Sequence, residues 1–193
     1  MKIYLVHGWT YTLDYWKPLK EALESEGHEL IMLKVPGLTQ KSDKVWDIEG
    51  YVRWMRSKVK SNSVVIAHSN GGRISLAYAA KYKLKHLFLI GSSGIETKTP
   101  SMKQRLAKLA KPIARRMPKV VQKAMYKVIG AEDYGRAKAN MRKTMQNMLA
   151  ADKNLPIEKV KSKTTLIWGE KDHSTPLESG LKLKKKLKTK DFH

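Results

Sequence analysis

Residues 67–72, which read AHSNGG, contain the residue best suited to nucleophilic chemistry, Ser69. They follow the apolar run VVI and precede a stretch with helical spacing. Where a strand turns at once into a helix, the residue at the turn is strained and its neighbours two positions away must be small. Such a strand-to-helix turn is called a nucleophile elbow, and the residues around Ser69 that would form it are Ala67, His68, Gly71 and Gly72. This pattern favours a nucleophilic serine over a glycine-rich turn with an incidental serine.

A second segment that suits the stabilisation of negative charge is His7-Gly8-Trp9, at the end of the first apolar run. Backbone N–H groups at strand ends can stabilise the charge that develops on a tetrahedral intermediate. We assign this oxyanion hole to the backbone amides of Trp9 and Asn70. We interpret His7 and His68 as structural residues that pack around the turn, not as bases.

A third segment supplies a carboxylate after the last apolar run. Residues 166–176 read LIWGEKDHSTP, in which a strand ends at a glycine and an acid follows. A carboxylate placed there could hold a histidine in the tautomer that a serine nucleophile needs. We choose Asp172 for this role and interpret Glu170 as a solvated turn residue.

Together, these three segments resemble the α/β-hydrolase superfamily, in its esterase, lipase and carbon–carbon hydrolase branch, over essentially the whole chain. Ala67 stands where the family more usually has glycine. The resemblance implies the chain order nucleophile, acid, histidine, and a Ser-His-Asp mechanism on a carboxylic ester or related acyl substrate. It also implies a parallel core sheet with a helical lid, and a chain that enters at the family's third strand.

The histidine of that triad is not evident in the sequence. In the family it follows one more strand, and His193 falls where that strand would start. The chain is therefore a fragment, or His193 has been recruited as the base, or the protein lacks a base. We favour a fragment whose histidine lies beyond residue 193. His173 is too close to the acid to bridge it to Ser69, and His28 and His86 lie near predicted strand starts.

The surrounding pattern predicts an α/β fold, with about five mostly parallel strands flanked by helices. Apolar runs alternate with helical patterns, which is typical of βαβ units. The predicted strands are 2–6, 29–35, 63–67, 86–90 and 164–168, and the predicted helices are 15–26, 47–60, 71–82 and 176–187. Asp14 is expected to cap the first helix. Residues 1–95 and 156–193 form the predicted core, and residues 96–155 the predicted lid insertion.

Composition and charge limit the classes of molecule that we expect this protein to bind. The net charge is +22, but lysines are scattered through every segment and no nucleic-acid signature accompanies them, so we expect no specific nucleic-acid binding. The basic stretch at residues 98–127 would allow peripheral contact with an anionic membrane. The absence of a membrane span or signal sequence favours a cytoplasmic protein.

Several other functions find no support in the sequence. There are no cysteines, no metal-ligand spacing and no dinucleotide or phosphate-loop motif, so we expect neither a metal nor a cofactor. Met141, Met145 and Met148 share a helical face, and lid packing explains them better than a pocket for an acyl chain. The alternative function is a non-catalytic binding protein that keeps the fold and uses its basic surface. Carbon–carbon bond cleavage remains open as a variant of the hydrolase.

Overall fold

The computed structural model describes residues 1–95 and 137–193. The strands are β1 Lys2–Val6, β2 Glu29–Met32, β3 Val64–His68, β4 His86–Ile90 and β5 Lys163–Ile167. The helices are α1 Lys17–Ser25, α2 Ile48–Lys58, α3 Asn70–Ala79, α4 Ala139–Ala151 and α5 Leu177–Leu187, with short 3-10 helices at Asp14–Trp16, Asp152–Asn154 and Ile157–Lys159. None of these described helices is both long and apolar enough to cross a membrane.

The five strands form one parallel sheet in the order β2-β1-β3-β4-β5. The predicted fold class is therefore confirmed. Since all strands run in the same direction, the loops that follow β1, β3, β4 and β5 meet at the carboxyl edge of the sheet. Ligands of open parallel sheets bind at this edge, and it carries all three segments that we expect to do chemistry.

The two faces of the sheet are covered unequally. On one face, α2, α3, α4 and α5 contribute to a large core that includes Tyr51, Ile74, Met148 and Leu183. On the other face a small core contains Leu5 and its neighbours on β2 and β3, against which side chains of α1 pack. Each large apolar side chain withdrawn from water contributes about 1.5–3 kcal/mol. The first face therefore carries most of the apolar stabilisation.

Helix α3 is the element that the fold buries most completely. Every residue from Asn70 to Ala79 is buried. Small residues on the side toward the sheet allow this close approach, since a Cβ at Gly72 would collide with the side chain of Ser92. The burial fixes the first turn of α3, and with it the backbone at Ser69.

Residues 191–193 pair in parallel with β5. The Leu166 N–H donates to Asp191 O at 2.9 Å, the His193 N–H donates to Leu166 O at 2.9 Å, and the Trp168 N–H donates to His193 O at 2.8 Å. The bridge partner of Phe192 is Leu166. His193 thus lies at the carboxyl edge, level with the end of β5.

Only β1 and β4 have the predicted bounds, and the other predicted strands and helices differ from the structure by one to three residues. β2 ends at Met32 and not at residue 35, because the chain there turns into a loop in which the Val35 N–H donates to the Thr39 hydroxyl. α3 begins at Asn70 and ends at Ala79. The prediction that Asp14 caps α1 is wrong: Asp14 starts a 3-10 turn, and the N-cap of α1 is Trp16, with a proline in the first turn of the helix.

The predicted lid is described only in its last part, because residues 96–136 lie outside the described residues. Within that last part, α4 packs on the core: Met141 and Met148 are buried, and the Thr144 hydroxyl accepts a hydrogen bond from the Trp46 N–H at 2.9 Å. Met141 fits closely against Gly37, whose missing Cβ makes room for it. Core packing therefore accounts for Met141 and Met148, while the extent of the lid stays a prediction.

Candidate active site

Ser69 lies at the junction of β3 and α3 in a backbone conformation that residues other than glycine rarely adopt. Its φ is 49° and its ψ is −119°. Such a conformation costs about 1–3 kcal/mol and persists only where surrounding contacts impose it. Here the Ser69 N–H donates to Ile90 O at 3.2 Å, and Ser69 O accepts from the N–H groups of Gly72 and Ser93 at 2.9 and 3.0 Å.

Two glycines let neighbouring backbone segments approach this turn. A Cβ at Gly71 would collide with the backbone oxygen of Val6 and lie 2.6 Å from that of His7. A Cβ at Gly8 would lie 2.9 Å from the Cβ of Ser69. The loop after β1 therefore packs directly against the serine.

Two backbone amides beside Ser69 have no acceptor. Among the described residues, neither the Trp9 nor the Asn70 backbone N–H donates a hydrogen bond. Asn70 is the first residue of α3, where helix geometry leaves the N–H groups without an intrahelical partner. These amides, on the two segments that Gly8 and Ser69 bring together, are suited to bind a developing oxyanion.

His7 holds the loop after β1 in place through both ring nitrogens. It is fully buried, its Nδ1 lies 2.7 Å from Gly8 O, and its Nε2 lies 2.7 Å from the Thr39 hydroxyl. A carbonyl oxygen only accepts, so Nδ1 carries the proton and Nε2 accepts from Thr39. Burial lowers the pKa of His7, a partly opposing effect comes from Gly8 O, and His68 lowers it further. The ring is therefore a neutral structural element.

Asp172 lies in the turn after β5 and is held there by its own loop. Its Oδ1 accepts from the N–H groups of Ser174 and Thr175 at 2.7 and 2.9 Å, and its Oδ2 accepts from the Thr175 hydroxyl at 2.7 Å. Burial acts to raise the pKa of Asp172, but the bonds from Thr175 and Ser174, with a contribution from His68, outweigh it and hold the pKa below its usual range. Glu170, the other acid of this turn, is exposed.

The Asp172 carboxylate also approaches the end of β4. A Cβ at Gly91 would lie 3.0 Å from Asp172 Oδ2, and the Thr175 hydroxyl lies 3.0 Å from Gly91 O. The carboxylate therefore occupies the space above β4, between the ends of β3 and β5. This is where a carboxylate would orient an imidazole for Ser69.

His68 lies beside Gly8 of the loop after β1 and is also near enough to Asp172 to be affected by its charge. Its ring packs edge-on against Trp16, with centroids 5.4 Å apart. Its Nδ1 would lie 2.9 Å from a Cβ at Gly8. Burial lowers the pKa of His68, and the nearby charge of Asp172 partly opposes that effect.

All six histidines lie within the described residues, and no hydrogen bond there joins any of them to Ser69 or Asp172. His193 Nε2 lies 3.8 Å from Asp191 Oδ1, and its side chain is 67% exposed. Residues 191 and 193 share a strand face, which directs the ring to its own strand neighbour. His173 is exposed in the acid turn. The described residues thus bring together Ser69, the two amides and Asp172, without a bridging imidazole.

Arg73, in the first turn of the helix that follows Ser69, forms a buried ion pair with Asp152. The Arg73 guanidinium donates from Nε to Asp152 Oδ1 at 2.6 Å and from Nη2 to Asp152 Oδ2 at 2.8 Å. Its Nη1 donates to Asn70 Oδ1 at 2.6 Å. The side chains of Arg73 and Asp152 are 6% and 12% exposed. This pair links the first turn of α3 to the end of α4.

No group of three histidines or acids in residues 1–95 and 137–193 lies close enough to hold a metal ion. The groups that the described residues place at this edge of the sheet are a hydroxyl, two amide donors and a carboxylate.

A comparison with protein families agrees with this geometry. Residues 3–133 match the model of the alpha/beta hydrolase fold family. The chain belongs to this family. This alpha/beta hydrolase is also 31% identical over 78 residues to a probable 1-acylglycerol-3-phosphate O-acyltransferase of Oryza sativa subsp. japonica, a match that covers 38% of this chain and 19% of the rice protein.

Solved structures share the fold over nearly the whole alpha/beta hydrolase chain. An esterase from Exiguobacterium antarcticum superposes with a TM-score of 0.70 at 16% identity, covering 100% of this chain and 82% of the esterase. A monoacylglycerol lipase from Paleococcus ferrophilus superposes with a TM-score of 0.61 at 21% identity, covering 99% of this chain and 81% of the lipase. At these identities, the likeness shows the fold alone.

Several residues of the site were missed by reasoning from the sequence. Gly91 directly follows an apolar run and Gly8 lies one residue beyond the first one, so their positions at strand ends were a usable signal. No such signal in the sequence pointed to Thr39, Arg73 or Asp152. Thr39 contacts His7 across 32 residues and Asp152 contacts Arg73 across 79 residues, and no local pattern reports such pairs.

Proposed function

We propose that this alpha/beta hydrolase cleaves a carboxylic ester or related acyl bond, with Ser69 as nucleophile. The observation that carries the proposal is the strained Ser69 backbone, against which Gly8 and Gly71 allow the end of β1 and its loop to pack closely. Strain of this kind is characteristic of functional sites. In this mechanism, Ser69 Oγ bonds to the acyl carbon, and the backbone amides of Trp9 and Asn70 bind the oxyanion.

Proton transfer requires an imidazole between Ser69 and Asp172. It takes the Ser69 proton as the new bond forms and gives it to the leaving oxygen as the old bond breaks. Water then attacks the acyl-enzyme and releases the acid. Asp172, ionised because its pKa is depressed, would stabilise the imidazolium and hold its orientation. Since no histidine of the described residues is hydrogen-bonded to Ser69 or Asp172, imidazole added in solution can serve as the base in the test.

The test is Ser69-dependent hydrolysis of p-nitrophenyl butyrate, measured with and without added imidazole. Added imidazole should increase the rate of the unmodified protein with saturation, because the Asp172 carboxylate is only partly buried and a small base can bind to it. Ser69→Ala should lose this increase and should also lose labelling by a fluorophosphonate probe. Ser61→Ala, which alters an exposed turn serine, is the matched control and should keep both.

Equal labelling and equal rates in the unmodified protein and Ser69→Ala would overturn the proposal. That result would favour the alternative, a binding protein with the same fold whose affinity for a partner falls steeply with salt.

A second candidate reaction shares the same first step. The rice relative is named for acyl transfer to a 1-acylglycerol-3-phosphate. An acyl-enzyme at Ser69 could pass its acyl group to a hydroxyl in place of water. Product analysis with p-nitrophenyl butyrate as acyl donor and 1-acylglycerol-3-phosphate as acceptor separates the two reactions, both of which release p-nitrophenol: butyrate indicates hydrolysis, and a diacyl product that carries the butyryl group indicates transfer.

A further inference from the structure

The side-chain amide of Asn70 is buried and has only one of its two ends paired. Asn70 is 4% exposed, and its Oδ1 accepts from Arg73 Nη1 at 2.6 Å. Its Nδ2 is buried and has no partner among the described residues. A buried amide group without an acceptor is costly, so its presence calls for an explanation.

The orientation of this amide follows from its neighbour. An arginine guanidinium only donates hydrogen bonds, so the Asn70 atom that faces Arg73 must be the oxygen. Asp152 binds the same guanidinium through both of its oxygens, at 2.6 and 2.8 Å, and prevents it from turning away. The Nδ2 group is therefore held as a donor in one fixed direction.

Asn70 is also the residue whose backbone N–H belongs to the proposed oxyanion hole. A side-chain amide nitrogen lies within about 5 Å of the backbone nitrogen of its own residue, by covalent geometry. The indole Nε1 of Trp9, the other oxyanion residue, is likewise buried without a partner among the described residues. Both oxyanion residues thus carry an unpaired buried donor.

We propose that Asn70 Nδ2 binds an acceptor oxygen on the acyl part of the substrate, within a few bonds of the carbonyl that Ser69 attacks. The substrate class is then an oxygen-substituted acyl group and not a plain hydrocarbon chain. Arg73 and Asp152 are positioning residues that hold Asn70. This inference rests on the proposed function, because it assumes that the acyl carbonyl sits in the oxyanion hole.

The test compares matched p-nitrophenyl esters that differ by one CH₂-to-oxygen replacement: methoxyacetate against butyrate, and 3-methoxypropionate against pentanoate. The measured quantity is the ratio of kcat/KM within each pair, with imidazole added. Comparing this ratio between variants removes the different intrinsic reactivities of the esters. For the pair whose oxygen meets Nδ2, Asn70→Asp should lower the ratio about fivefold to tenfold, because the donor is lost.

Asn70→Asp is the sharpest variant because it keeps an oxygen for Arg73 and removes the donor, while the negative charge that it adds acts on both esters of a pair and is compared out in the ratio. Asn70→Leu, of similar shape, removes both groups and should lower the same ratio. Asn62→Asp makes the same chemical change in a distant turn and should leave the ratio unchanged.

Arg73→Lys tests the positioning role. Lysine keeps the positive charge but lacks the planar guanidinium whose N–H groups bind Asp152 and Asn70 at the same time. The ratio should fall while Ser69 remains labelled by the fluorophosphonate. A merely structural role would lower thermal stability and leave the ratio unchanged.

Two outcomes overturn the inference, and they can be told apart. If Ser69-dependent hydrolysis is present but the ratios of Asn70→Asp equal those of the unmodified protein for both pairs, the donor has no role in substrate choice and the proposed function stands. If neither ester of a pair is hydrolysed in a Ser69-dependent way, the proposed function falls and this inference falls with it.

Discussion

At the ends of β1 and β3, backbone segments touch directly around Ser69, whereas at the ends of β4 and β5 hydrogen bonds of a single turn hold the Asp172 carboxylate. We call residues 6–9 and 67–73 the nucleophile half, and Gly91 with residues 168–175 the acid half. In the nucleophile half, Gly8 and Gly71 leave no room for a Cβ. In the acid half, Ser174 and Thr175 supply three donors to one half-buried carboxylate.

This difference predicts which property of the protein a substitution in each half should change. Close packing around a strained backbone cannot relax, so a change of one methyl group in the nucleophile half should affect folding. Hydrogen bonds to a partly exposed carboxylate act mainly on its ionisation, so changes in the acid half should affect pH dependence.

The largest effect is expected for Gly71→Ala. The added Cβ would collide with Val6 O and His7 O, which belong to the backbone of β1 and its loop and cannot move aside cheaply. We expect a loss of about 3 kcal/mol in the free energy of unfolding, measured by urea denaturation. Gly169→Ala is the matched control in the acid half, because the nearest atom to its Cβ would be Asp172 Cβ at 3.9 Å. Similar losses for both variants would contradict the difference between the halves.

A smaller effect is expected for Thr175→Val. Valine removes the hydroxyl that donates to Asp172 Oδ2, so the pKa of Asp172 should rise toward its ordinary value. A depressed carboxyl pKa adds stability above the ordinary pKa, and this stability is lost as the pH falls through the folded-state value. The variant should be less stable by about 1 kcal/mol at pH 7, given partial exposure, and the difference should shrink near pH 3.

The measurement for Thr175→Val is denaturant unfolding at a series of pH values. Thr12→Val is its control, because the Thr12 hydroxyl also donates to a carboxylate, that of the exposed Asp14. We expect no measurable change there. A destabilisation by Thr175→Val that is constant from pH 7 to pH 3 would show that ionisation of Asp172 is not involved.

The smallest effect is expected where the halves meet, at His68. The charge of Asp172 opposes the burial that lowers the pKa of His68, so Asp172→Asn should lower that pKa further. Conversely, His68→Gln should raise the pKa of Asp172, because His68 contributes to its depression. Titration by NMR, following the His68 ring proton and the Asp172 carboxyl carbon, measures both. If neither pKa moves, the two groups are not coupled and the halves are electrostatically separate.

The position of the candidate site segments at one edge of the sheet could be predicted because the information for it is local. The elbow around Ser69, the loop at Trp9 and the acid turn at Asp172 each follow an apolar run within a few residues. Parallel strands bring such strand ends to one edge whatever the details of packing. The alternation of strands and helices likewise predicted the parallel sheet, although boundaries such as the end of β2 at Met32 moved with tertiary contacts.

The sequence by itself therefore determined which chemical groups stand at the carboxyl edge, since residue type and strand order are properties of the chain. Only the tertiary structure decided how these groups are held. The contact of Asp152 with Arg73 joins residues 79 apart and the contact of Thr39 with His7 joins residues 32 apart. The physical reason is that close packing and buried charge pairing depend on which distant surfaces meet, and no short pattern of residues encodes that meeting.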